Sequence, residues 1–226
     1  MRCLERDGKF QKNFATSPGQ SITYKAESID FSGGARRSTV LVVAAVGMSG
    51  SGKTVTFEYL VSRLTAEGYR VGSIKHVHHE GFTMDTEGTN TWRYAKAGAK
   101  VIVAISPEEI DIIRKTRLAL DDLDHVIALL KDEKLDVVFI EGFHSLIAKR
   151  ADVPKIVTAK DSDGLEQTLK GTVEPIVAIA GVVAKNSSET SYRGIPFVKV
   201  PEDGQKLVDI IKSHLQREKT SGKTAD

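Results

Sequence analysis

Eight residues, Gly47-Met48-Ser49-Gly50-Ser51-Gly52-Lys53-Thr54, carry the spacing of a Walker A phosphate loop. The glycines let successive backbone N–H groups turn inward without Cβ clashes, forming a nest for phosphate oxygens. The N-terminus of a following helix adds partial positive charge. Lys53 is placed to reach the β- and γ-phosphates, and Thr54 to offer a hydroxyl to Mg²⁺. Ser49, Gly50 and Ser51 complete the wrap. The motif predicts a nucleoside triphosphate site, or descent from one.

Further chemistry-bearing residues fall where an α/β sheet gathers its ligands, at the carboxyl ends of strands. Arg70–His76 reads as a strand delivering Lys75, His76, His78 and His79 to that edge. A polar loop over Gly81–Asn90 holds Asp85 and Gly88, and the helix after it carries Arg93 as a phosphate-facing cation. The run Asp136-Val-Val-Phe-Ile-Glu141-Gly142 ends a buried strand in one carboxylate, which makes Glu141 the Walker B candidate. Lys53, Asp85 and Glu141 are therefore the catalytic candidates. Thr54, Asp85 and Glu141 are the Mg²⁺ ligand candidates, and sequence alone does not rank the two acids. His76, His78 and His79, with His144 and Asp85, also suggest a transition-metal site, but the spacing matches no closed zinc signature. No Asn-Lys-x-Asp follows the first strand; Thr158-Ala159-Lys160-Asp161 has the order wrong. The residues do not choose between guanine and adenine.

The elements that must position these groups alternate. Val40–Val46 is a fully buried parallel strand by composition, and Phe57, Leu60, Val61 and Leu64 stripe one face of the helix after the loop. Gly68 is placed to end that helix. A helix over Thr91–Ala97 stops at Gly98. Residues 100–106 and 110–115 form a hairpin or two marginal strands. Leu123, Val126, Ile127 and Leu130 mark a helix capped by Asp121 or Asp122. Strands are expected at Lys155–Thr158, Ile176–Ala180 and Ile195–Val200, with a short helix near Leu165–Leu169 and a closing helix striped by Leu207, Ile211 and Leu215. Alternation of this kind gives a P-loop NTPase three-layer α/β/α sandwich with a mainly parallel sheet and an inserted β-hairpin.

The chain has 226 residues, enough for one domain with extensions. Residues 1–38 are polar and aperiodic and read as a flexible N-terminal extension, with a short strand possible at Ser21–Tyr24. Residues 39–216 form the nucleotide-binding domain. Residues 217–226 read as a disordered tail, where a second SGKT lacks both strand and helix and is a decoy. A net charge of +2 does not argue for nucleic acid or a membrane surface. The single cysteine, the missing signal peptide and the lack of a bilayer-length apolar run point to the cytoplasm.

Taken together, GMSGSGKT, GSIKHVHHEGFTMDTEGTNTWRYAKAGA, VVFIEGF and PKIV resemble the molybdopterin-guanine dinucleotide biosynthesis protein B family, from roughly Val40 to Leu215. The resemblance implies a GTP-binding protein with weak, Mg²⁺-dependent GTPase activity. It implies work beside a molybdenum cofactor guanylyltransferase that attaches GMP to the molybdenum (or tungsten) pterin, with molybdopterin itself a further ligand. It also implies a homodimer in which the hairpin at 100–115 takes part. Carried over by match, Gly47, Gly50, Gly52, Lys53 and Thr54 hold phosphate and Mg²⁺. Lys75, His76, His79, Asp85 and Gly88 line the site, and Glu141-Gly142 closes it. Two features depart: Thr89-Asn90 stands where relatives often carry Lys-Asp, and the N-terminal extension is not typical. Three alternatives stand beside this. A small-molecule kinase would place an arginine-rich lid over the phosphates, yet the connection from Gly142 to the strand at Lys155 offers only Lys149 and Arg150. The others are a metallochaperone-type GTPase and an adaptor without useful turnover.

Overall fold

Six apolar residues, Leu41–Val46, five of them small or β-branched, form β1, and only a strand covered on both faces can bury such a run. The computed structural model describes residues 40–115 and 122–221. The expected extension over 1–38, with its strand at Ser21–Tyr24, lies outside the described residues.

After β1 come α1 (Lys53–Ala66), β2 (Val71–Lys75), α2 (Asn90–Lys96), β3 (Val101–Ile105) and β4 (Ile110–Arg114). The next elements are α3 (Leu123–Ala128), β5 (Val137–Glu141), α4 (His144–Ile147), β6 (Lys155–Thr158) and α5 (Ser162–Lys170). The chain then forms β7 (Ile176–Ala180), α6 (Gly181–Asn186), β8 (Ser191–Tyr192), β9 (Ile195–Pro196) and α7 (Gly204–Ser221).

Five strands pair in the order β2-β5-β1-β6-β7, all parallel, so β1 lies at the centre. Alternation along β1 splits the core. Val43 and Ala45 face Phe57, Leu60 and Leu64 of α1 with Leu207 and Ile211 of α7. Ala44 and Val46 face the opposite way, toward Leu123 and Val126 of α3 and Ile147 of α4. A third cluster under α5 and α6 joins Val157 and Ile179 to Leu165, Leu169 and Val183. This is the expected three-layer sandwich. The hairpin stands apart as its own antiparallel pair, β3 with β4, outside the main sheet.

Two expected boundaries are corrected. Ile195–Val200 does not form a sixth ladder strand. Ile195 and Pro196 pair with β8 instead, and Phe197 makes only an isolated bridge to Ile179. Pro196 has no N–H to donate, which limits how far a ladder can run through it. The closing helix also does not stop at Gln216 but continues to Ser221. Arg217, Glu218 and Lys219 are good helix formers, and charge alone does not end a helix. The remainder of the second SGKT lies outside the described residues. Among those described, no helix is long and apolar enough to cross a membrane.

Candidate functional site

Register brings the chemistry together. Lys75 is the partner of Glu141 across β2 and β5, and Ala45 is its partner across β1. The carboxyl ends of three parallel strands therefore meet where the phosphate loop begins. The loop can follow β1 so closely only because Gly47 lacks a side chain: a Cβ there would lie 2.1 Å from the Thr158 carbonyl oxygen. Ser51 is fully buried, and its hydroxyl meets the Met48 carbonyl at 2.7 Å and the Thr158 hydroxyl at 2.6 Å. Its side chain thus pins the loop to β6 instead of facing a ligand. Gly52 caps α1 in a left-handed conformation.

Lys53 folds across the loop, with Nζ donating to the Gly47 and Met48 carbonyls at 2.8 and 2.7 Å. Burial holds its ammonium below the usual lysine range, partly offset by the Glu141 carboxylate. The Thr54 hydroxyl donates to Glu141 Oε2 at 3.2 Å, and Lys75 forms an ion pair with the same carboxylate. Glu141 is thus the acid held against the loop hydroxyl.

These groups line a cavity of about 660 Å³. Ser49, Gly50, Gly52, Lys53 and Thr54 form one side, and Lys75, His76, His79, Glu141 and Gly142 the other. Gly142 has to be glycine, because a Cβ would sit 2.5 Å from that of His76. The His76 ring stacks on Phe143 at 4.3 Å and touches His78 at 4.0 Å, and its Nδ1 is buried without a partner among the described residues. Burial lowers the affinity of His76 for a proton, and His78 adds to this. His144 is lowered too, first by burial and then by Lys53.

Other expected residues lie elsewhere. Asp85, Gly88 and Arg93 are not among the residues lining this cavity. Asp85 Oδ1 accepts from the Thr89 and Thr91 hydroxyls at 3.0 and 2.8 Å, organising its own loop. Thr89 caps α2 by accepting from Trp92 N. Arg93 is exposed on a helix with no buried residue. Among the described residues, no group of three or more His, Cys, Asp or Glu could hold a metal ion. The histidine-based transition-metal site is therefore not assembled.

Sequence reasoning left five lining residues out of the nucleotide site. Val55, Val77 and Val182 line the cavity, and His78 and His144, named above only for a metal site, line it as well. Val182 is the second residue of α6, which begins at Gly181 against the loop: Val182 N donates to the Ser51 carbonyl at 3.1 Å. A glycine directly after the apolar run Ile176–Ala180 was the available signal.

A central parallel strand, a phosphate loop and a carboxylate on the neighbouring strand define a P-loop α/β protein. A family model described as "MobB: Molybdopterin guanine dinucleotide synthesis protein B" matches residues 42–182, and this chain belongs to that family. It is 30% identical over 178 residues to a probable molybdopterin-guanine dinucleotide biosynthesis adapter protein of Bacillus subtilis, covering 78% of this chain and 94% of that one. The corresponding adapter protein of Escherichia coli is 29% identical, over 67% of this chain and 84% of its own. The crystal structure of Bacillus subtilis MobB superposes with a TM-score of 0.60 at 28% identity, covering 76% of this chain and 96% of that one.

Proposed function

We propose that this chain binds GTP with Mg²⁺ in the 660 Å³ cavity and serves as a cytoplasmic accessory protein in making the molybdopterin-guanine dinucleotide cofactor. The observation that carries the nucleotide part is the arrangement of Lys53, Thr54 and Glu141. Lys53 Nζ rests on two loop carbonyls from which a polyphosphate would draw it. The Thr54 hydroxyl and Glu141 carboxylate, 3.2 Å apart, are hard oxygen donors suited to Mg²⁺ directly or through water. Bound Mg²⁺ would neutralise phosphate charge; the chain's own groups orient the phosphates and keep Lys75 beside them. The pathway assignment comes from the names of the relatives, and the proposed partner is the guanylyltransferase that joins GMP to molybdopterin.

A kinase lid finds less support. Arg150 is held by Asp152 and Asp124 through contacts of 2.6–2.9 Å, which commits that guanidinium away from the phosphates. Calorimetry with GTP, ATP and their diphosphates, with and without Mg²⁺, tests the proposal. GTP is expected to bind more tightly than ATP, and more tightly with Mg²⁺. Equal affinity for the two bases would count against an accessory GTPase.

The proposed homodimer rests on the hairpin. Val101, Val103, Ile105, Ile110 and Ile112 share one face of β3–β4 and are each more than half exposed. Such a patch needs a cover, and a second copy presents the same patch for two-fold pairing. Ile112→Glu should shift the protein to a monomer by light scattering while its nucleotide affinity stays the same. A dimer that survives this change and Val103→Glu together would rule the hairpin out.

A further inference from the structure

We infer that Lys75 sets a preference of the phosphate site for triphosphates over diphosphates, by giving up Glu141 to a divalent cation and turning its ammonium to the terminal phosphate. The inference rests on the nucleotide proposal above and names the residue that would tell one nucleotide state from the other.

Glu141 is held from two sides. The Thr54 hydroxyl donates to its Oε2 at 3.2 Å, and the Lys75 ammonium pairs with its Oε1. Thr54 and Glu141 are the hard oxygen donors that fit Mg²⁺. Lys75 therefore places its charge on the carboxylate that a divalent cation needs. An ammonium and a divalent cation on one carboxylate repel each other, so the binding of one favours release of the other.

The two members of the pair are unequally free to leave. The Glu141 side chain is only 13% exposed, on a strand paired on both sides, with β2 and β1. The Lys75 side chain is 57% exposed and ends β2, at the edge of the sheet. Its ammonium is a compact charge on a flexible stem, so side-chain rotation alone can move it. Breaking a pair with so exposed a lysine costs little. Withdrawing that lysine with nothing in its place would leave a largely buried carboxylate uncompensated. Release of Lys75 is thereby tied to the arrival of another cation.

The freed ammonium has a destination in the same cavity, where Lys75 lines the wall with Lys53, Thr54 and Glu141. The proton affinity of Lys53 is lowered first by burial, raised by Glu141 and lowered again by Lys75, so the three charges already act on one another. A Mg²⁺ triphosphate carries one more negative charge than a Mg²⁺ diphosphate, and a released Lys75 matches it. With a diphosphate the released ammonium has no terminal phosphate to meet, and the loss of Glu141 goes uncompensated. Selection between the two then depends on the cation: without Mg²⁺, Lys75 stays on Glu141 and the nucleotides differ little. A contact made equally in the ground and transition states raises affinity without raising turnover, so this role does not call for fast hydrolysis.

The test is titration calorimetry of the full chain with GTP and GDP, each in Mg²⁺ and in EDTA, for wild type, Lys75→Met and Glu141→Gln. Thermal melting reports whether each variant folds. One charge-assisted contact is worth a factor of about ten or more, so wild-type protein should prefer GTP to GDP at least about tenfold in Mg²⁺ and far less in EDTA. Lys75→Met should lose the preference in Mg²⁺. Glu141→Gln, in which Lys75 has no carboxylate to leave, should prefer GTP in EDTA as well. A wild-type preference that is the same with and without Mg²⁺ would overturn the exchange, reducing Lys75 to a fixed phosphate contact. A Lys75→Met variant that weakens both nucleotides equally would overturn it too, since that is what a structural role predicts. Wild-type protein that binds neither nucleotide would instead defeat the nucleotide proposal; tripolyphosphate against pyrophosphate, run through the same conditions, then decides this one. If one variant fails to fold, the other decides beside wild type.

Discussion

Lys53→Ala is expected to weaken GTP binding about 30- to 150-fold. Removing one charge-assisted contact to phosphate in a partly buried site costs on the order of 2–3 kcal/mol, and each 1.4 kcal/mol is about tenfold. The side chain is nearly buried and already confined to the loop, so little conformational freedom remains to be lost on binding. The same substitution leaves the Gly47 and Met48 carbonyls without their lysine donor, and water at the cavity mouth can replace it. The melting temperature without nucleotide should therefore move far less than the affinity does. Titration calorimetry and thermal denaturation of the same preparation separate the two effects. Unchanged affinity would mean that the loop no longer serves a nucleotide.

How far the sequence foretold this site depends on the range of the interactions. The strand, loop and α1 were legible because the Walker A spacing and the strand before it are local. Glu141 was legible as an acid at a strand end, but its advantage over Asp85 was not. That advantage comes from register, which sets Lys75, Glu141 and Ala45 level across three strands from distant parts of the chain. Asp85, close in sequence to the histidines, is instead absorbed by its neighbours Thr89 and Thr91. Ser51 looked like a phosphate contact from its position in the motif. Its burial against Thr158 follows from the pairing of β1 with β6, which no local pattern encodes.

Hydrolysis of GTP by the isolated chain is expected to be slow, at least about a hundredfold below the median enzyme turnover of about 10 per second. Fast phosphoryl transfer needs preorganised positive charge on the group being transferred. Here the cations lining the cavity are Lys53, required for binding, and Lys75, paired with Glu141. Arg93 is not in the lining, and Arg150 is held by two aspartates. The imidazoles of His76 and His144 could add charge, but burial lowers the proton affinity of both. Their protonation is displaced toward more acid conditions, and a bound triphosphate favours that uptake. Acidification from pH 8 to pH 6 should consequently tighten GTP binding, and a His76→Gln, His144→Gln variant should show a flatter profile. Strong stimulation then has to come from outside, through a partner that brings a cation to the γ-phosphate. Phosphate release is to be measured for the chain alone, and then with guanylyltransferase and molybdopterin added. Turnover near 10 per second without them, or quantitative transfer of the γ-phosphate to a small alcohol, would make this a conventional enzyme and not an accessory one.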